Sequence, residues 1–214
     1  MNVHSEAAEE WVVARAAAKI HRDAKTKYDR ILESAIKVFA RKGFHNSRIS
    51  EIAAEAEVAD GTIYLYFKNK DDILIRLFEN SLEQIIADLR AEIGKENDAL
   101  RKLRRFIKMH LDLVNKNPNL AAVLQVELRQ SNKFMKEYEP TRFIDYLNLI
   151  AEIIREGQAQ GVIRPDVAPG IVKRALFGAL DEIALHSVLT RKGKDYLRTS
   201  ADQICEMFLR GIAA

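Results

Sequence analysis

A single cysteine, Cys205, is the only thiol in the chain. It cannot close an intrachain disulfide, so the fold must be held by packing, and a cysteine-stapled secreted scaffold is excluded. Set between Ile204 and Met207-Phe208, it reads as a small core or interface group. Long apolar runs are missing too. Trp11-Val12-Val13 is too short for a signal core, and nowhere do the roughly 18 consecutive apolar residues of a membrane helix occur. A cytoplasmic protein, neither exported nor membrane-bound, is expected. There is no CxxC, HExxH, Walker loop or GxSxG, and His4, His21, His45, His110 and His186 are scattered. Neither an enzyme nor a metal site is expected, and no cofactor. Charge of one sign does not dominate either: 34 Lys and Arg face 31 Asp and Glu, a net +3.

What is present is helical periodicity on a chain of 214 residues, 48% of them hydrophobic, with room for a substantial core. Ile31, Leu32, Ala35, Ile36 and Phe39 recur at helical spacing until Arg41-Lys42-Gly43 closes the segment. From Ile49 to Lys70 two short helical segments flank a tight turn: Ile49, Ile52, Ala53 and Ala56 form one apolar face, and Ile63 and Phe67 the next. Ser50 is the expected cap of the first of these. Gly61 and Thr62 open the second with little bulk, so its first turn can approach the floor of a DNA major groove. Charge is concentrated here. From Lys19 to Arg48 nine Lys or Arg stand against Asp23, Asp29 and Glu33, a local +6 suited to phosphate attraction.

The stretches ILESAIKVFARKGF and ISEIAAEAEVADGTIYLYFKNKDDIL, spanning Ile31 to Leu74, resemble the TetR family of one-component bacterial repressors. The resemblance rests on Phe39, Gly43-Phe44, Ile52-Ala53, the run Gly61 to Phe67, and Lys70. It implies that the amino end of the Gly61-to-Phe67 helix faces bases, with Thr62 the candidate reader, while Arg48, Tyr64, Tyr66 and Lys70 hold phosphates. The expected architecture is all-α: an N-terminal extension (1–24), a three-helix helix-turn-helix head (25–70), and a larger helical ligand-binding and dimerisation domain (71–214).

In that second domain a long stripe runs from Ile73 to Ile93 as a connecting helix. Further stripes follow over Leu100 to Val114, Leu120 to Leu128 and Phe143 to Ile154, then over Pro169 to Thr190 and Asp195 to Gly211. No strand-like alternation or internal repeat competes. Val172, Ala175, Leu176, Ala179 and Ile183 on the penultimate helix, with Ile204 and Phe208 on the last, are the expected homodimer interface, which two half-sites of a palindromic operator require.

Polar interruptions among the apolar stripes mark a ligand cavity: His110, Gln125, Arg129, Arg142, Tyr146 and His186, with Arg101 and Arg105 from a basic run. The segment Leu124 to Ser131, with Phe143 to Tyr146, looks like the fatty-acid-degradation regulators of the TetR family, also called FadR. That resemblance implies a long-chain acyl-coenzyme A effector that releases the repressor from DNA upstream of fatty-acid oxidation genes. Aromatic or cationic drugs controlling an efflux operon are the alternative effectors, favoured if Glu127, Asp145, Asp181 and Glu182 converge. An enzyme or carrier for a hydrophobic molecule is the alternative of a different class.

Overall fold

The computed structural model describes residues 27–139 and 141–214; the expectations for the 1–24 extension, and for Lys25, lie outside them. The described chain is all-α, and its sole β contact is an isolated bridge between Ile163 and Ala213. Helix α1 covers 27–42, followed by α2 (Ile49–Glu55), α3 (Asp60–Ile63) and α4 (Lys70–Ile93). The rest comprises α5 (Ala99–Lys116), α6 (Pro118–Ala122), α7 (Asn132–Glu137), α8 (Thr141–Ala159), α9 (Pro169–Thr190) and α10 (Lys194–Ile212).

The head forms as its apolar spacing dictates. Ile31, Ala35, Phe39, Ile52, Ala53, Ile63 and Phe67 are all fully buried or nearly so. Each of the Ile and Phe side chains contributes roughly 1.5–3 kcal/mol on leaving water. Helix α1 stops at Gly43, whose φ of +82° lets its amide return to the Phe39 carbonyl at 2.8 Å. Helix α2 starts two residues earlier than a Ser50 cap requires, with Arg48 at the cap position. Ser50 lies in its first turn, and the Glu51 carboxylate instead accepts the Arg48 amide at 3.0 Å. Asn69 caps α4 by accepting from the Asp72 amide at 2.9 Å, while Asp72 reciprocates by accepting from the Lys68 amide at 2.9 Å.

Beyond the head, α5 is the central helix, packed against α4, α8, α9 and α10. Leu103, Phe106, Ile107 and Leu111 bury its apolar face. The expected stripe from Leu120 to Leu128 is not one helix. After α6 the backbone opens into a π turn (Val123–Glu127), tightens into a 3-10 turn (Leu128–Gln130), and enters α7 through Ser131, which accepts from the Phe134 amide. Apolar periodicity does not distinguish i+4 from i+5 hydrogen bonding over five residues. The carboxyl end of α10 is tied to the turn after α8, where the Arg164 amide donates to Ile212 at 2.9 Å.

Gly157 on α8 has no room for a side chain: a Cβ there would stand 2.4 Å from Ile163 Cδ1 and 3.0 Å from the Ala99 Cβ. We expect Gly157→Ala to lower the unfolding free energy by up to about 2 kcal/mol, an overpacking cost of about 1–3 kcal/mol outweighing the helix-propensity gain of about 1 kcal/mol. Urea denaturation checks this, and a rise in stability would show that α8 and its following turn are not closely packed.

Candidate nucleic-acid interface and effector cavity

The turn between α2 and α3 places Glu57 in the left-handed region at φ +54°, and the Val58 amide returns to Ala53 at 3.0 Å. Helix α3 then projects from the head. Its regular part is only Asp60–Ile63, with Tyr64 to Tyr66 continuing as a turn rather than reaching Phe67. A Cβ on Gly61 would meet nothing within 4 Å, so the chain's own packing does not demand a glycine there. Thr62 is half-buried beside it, while Tyr64 is 59% and Leu65 81% exposed. Tyr66 turns inward, its ring 6.2 Å from Tyr28, which itself stacks on Phe67 at 5.1 Å.

Of the basic residues expected near phosphates, Arg48 is exposed and makes no ion pair among the described residues. Lys37 and Arg41 are paired with Glu55 and Lys42 with Glu51, so part of the local positive charge is neutralised within the head. Lys70 has a different setting. Its ammonium donates to the carbonyls of Phe44 at 2.6 Å, Ser47 at 3.0 Å and His45 at 3.1 Å, and lies 4.6 Å from the Phe44 ring centroid. Three donors meet three acceptors, which makes Lys70 the clasp of the α1–α2 loop. The same loop is held from the other domain: the Phe44 amide donates to Glu127 Oε2 at 2.6 Å. A second link joins Ser131 Oγ, which donates to Asp71 at 2.7 Å. Nothing in local sequence announces pairs 83 and 60 positions apart.

Between α4, α5, α8 and α9, under the α6–α7 segment, lies a cavity of about 310 Å³. Its wall is overwhelmingly apolar, with Phe78, Leu113, Leu124, Phe134, Phe143 and Phe177 prominent. Four expected ligand residues meet there: His110, Gln125, Arg129 and Tyr146. His110 Nδ1 and the Tyr146 hydroxyl form a buried hydrogen bond. Burial pushes the imidazole down to about 4 and, with the nearby Asp181 charge secondary, raises the phenol. Both are therefore neutral at ordinary pH. Asp181 is the one acidic residue in the wall, and Arg129 neutralises it at 2.7 Å while also bonding Gln125.

The other expected ligand residues lie elsewhere. Arg101 is exposed on α5, Arg142 pairs with Glu83 at 3.4 Å, and His186 sits 5.6 Å from the Tyr196 ring, all outside the cavity wall. Arg105 pairs with Glu92, whose carboxyl is held at about 2 by hydrogen bonds from Lys95 and then Arg105. It lines a second, charged groove of about 530 Å³ that shares Ile85, Leu113 and Lys116 with the cavity. Glu127, Asp145 and Glu182 do not line the cavity, so no acidic cluster forms there.

A DNA-facing helix-turn-helix and an apolar cavity thus share one chain, and comparison with known proteins agrees. Residues 31–77 match the model of bacterial regulatory proteins of the tetR family, and residues 78–211 that of the YsiA-like protein C-terminal region. The chain belongs to the TetR family. It is 38% identical over 186 residues to the fatty acid metabolism regulator protein of Bacillus subtilis strain 168, covering 87% of this chain and 95% of that protein. The crystal structure of the transcriptional regulator FadR from Bacillus subtilis in complex with stearoyl-CoA superposes with a TM-score of 0.81 at 37% identity, covering 86% of this chain and 99% of that one. The fatty acid degradation regulator FadR from Bacillus halodurans also gives 0.81, at 34% identity, covering 86% and 94%.

Membership makes the chain a ligand-responsive, dimeric DNA-binding regulator closely related to the FadR-like subgroup, not an enzyme. No helix among the described residues is long and apolar enough to cross a membrane. Of the expected interface residues, Val172, Leu176 and Ile204 are buried in the protomer's own core, Ala179, Ile183 and Phe208 are half-buried, and Ala175 is exposed. The helical period explains this: the most apolar stripe of α9 faces the bundle, and the outer face lies a fraction of a turn away. There Ile171 and Leu189 are 69% and 64% exposed, with Ala175 and Gly178 between them along the helix, and on α10 Met207 is 68% exposed.

Because Lys70 clasps the α1–α2 loop, Lys70→Ala is expected to lower the unfolding free energy by about 1.5–3 kcal/mol, the scale of hydrogen bonds from a charged donor. Operator affinity should fall with it. Unchanged stability, with a salt dependence shallower by about one phosphate contact, would instead assign Lys70 to the DNA backbone.

Proposed function

We propose that the protein is a repressor that binds a palindromic operator as a homodimer, is released by long-chain acyl-coenzyme A, and controls fatty-acid degradation genes. The observation that carries this reading is the cavity: it is lined by hydrocarbon, and its one carboxylate is already neutralised by Arg129. Such a wall suits an acyl chain, which gains roughly 0.8 kcal/mol per buried methylene, and offers little to a drug cation. The relationship to a FadR solved with stearoyl-CoA supports the same class of effector. Where cavity and groove meet, at Lys116, a ligand with an apolar tail and a phosphate-bearing head reaches suitable surroundings for both.

Thr62 reads bases, and Arg48 and Tyr64 hold phosphates, with Leu65 adding apolar contact. The route from effector to DNA runs through the π turn. Leu124, Gln125 and Leu128 line the cavity, and Glu127, in the same turn, grips the head at the Phe44 amide. An effector that moves this wall moves the grip, so effector and operator oppose each other reciprocally.

Two measurements test this. Palmitoyl-coenzyme A should release labelled operator from the full-length protein in a fluorescence anisotropy titration, whereas free coenzyme A and free palmitate should not. Release by an aromatic cation, with no response to any acyl chain length, would move the protein to the drug-responsive regulators. For the dimer, Met207→Asp should leave the far-UV circular dichroism unchanged, shift the mass in solution to the monomer, and abolish specific operator binding. A variant that stays dimeric would place the interface on another face.

A further inference from the structure

In a wall so nearly all hydrocarbon, an unpaired polar atom calls for a partner supplied by the occupant. His110 has such an atom. Its Nδ1 is bonded to Tyr146, whereas Nε2 has no hydrogen-bond partner among the described residues. No side-chain nitrogen or oxygen among those residues is both sealed off and unpaired, so Nε2 opens onto the cavity that His110 lines.

Its protonation follows from the neighbour. The Tyr146 hydroxyl has no partner other than His110 among the described residues, so its proton has one acceptor there, the Nδ1 lone pair. The reverse arrangement, with Nδ1–H donating, would leave a buried O–H without an acceptor, the costlier of the two. Since burial keeps the ring neutral, the single imidazole proton resides on Nε2 and points into the cavity as a donor.

We propose that His110 Nε2–H donates to the carbonyl oxygen of the acyl thioester, with Tyr146 as the positioning residue that fixes the tautomer. This deepens the acyl-coenzyme A reading above and rests on it. Between the hydrocarbon tail and the long polar arm of such a ligand, the thioester oxygen is the first acceptor encountered. A donor waiting for it discriminates against a ligand that has hydrocarbon in its place, because the donor is then desolvated without a partner.

The test compares palmitoyl-coenzyme A with S-hexadecyl-coenzyme A, the thioether in which a methylene replaces the carbonyl, by calorimetric titration of the full-length protein. Wild type should bind the thioester at least about tenfold more tightly. His110→Leu should bring the two affinities to near equality, chiefly by weakening the thioester. Tyr146→Phe, the milder change, should reduce the preference by releasing the tautomer. Equal affinities in wild type, or an undiminished preference in His110→Leu, would overturn the proposal. Should His110→Leu fail to fold, judged by circular dichroism and operator binding, the wild-type comparison and Tyr146→Phe decide. Binding of neither ligand would sink the acyl-coenzyme A reading itself and this inference with it, an outcome distinct from equal binding of both.

Discussion

The loop from Gly43 to Ser47 is the joint on which both functions depend, and opposite charges hold it from opposite sides. Lys70 collects its carbonyls, and Glu127 takes the amide of Phe44. Neither partner is local. Lys70 stands at the start of the connecting helix α4, and Glu127 in the wall segment beside the cavity. The loop therefore reports to the long helix and to the effector domain at once. Charge-assisted bonds are shorter and stronger than neutral ones, and they lose strength steeply when their geometry is disturbed, which suits a contact that must transmit small displacements.

The two ends of the molecule handle polarity in opposite ways. The head leaves exposed the residues proposed to meet DNA: Tyr64, Leu65 and Arg48 stand in water, and a Cβ on Gly61 would meet nothing within 4 Å. The cavity treats the polar residues proposed to meet the effector in the opposite way. Arg129 and Asp181 neutralise each other at its edge, while His110 and Tyr146 are buried and uncharged within it. Charged groups buried without partners would be costly in the second setting, and hydrocarbon alone would give no orientation to an occupant.

Sequence periodicity located most of this and misplaced some of it for one reason: it identifies what is buried, not against what. The all-α class and the stripe of α4 follow from spacing alone, as does the α9 span Pro169–Thr190, whereas the helix-turn-helix needed the residue types of the TetR resemblance as well. The same rule carried Val172, Leu176 and Ile204 toward a partner surface, although they face their own bundle. Of the polar residues singled out for the cavity, His110, Gln125 and Tyr146 converge because each interrupts an inward face, and the exposed Arg129 joins them at the edge through Asp181 and Gln125. Arg101, Arg142 and His186 lie on outward ones, where charge or aromaticity marks solvent exposure equally well. Glu127 resembled an acidic pocket group, yet its carboxylate reaches the head, a pairing that only the assembled fold defines. α7, without a long stripe of its own, carried no legible signal.

The π turn at Val123–Glu127 has a consequence for how such a regulator tolerates change in its coding sequence. A wide turn holds one residue more than the α-helical path it replaces, and losing that residue lets the segment relax to ordinary helix. The cavity would keep nearly the same hydrocarbon lining, and the head would keep its reading surface. Where the lost residue is Glu127 itself, which does not line the cavity, the turn narrows and the Phe44 amide loses its acceptor. A single-codon deletion could thus produce a protein that still senses and still binds DNA, with the two halves deaf to each other.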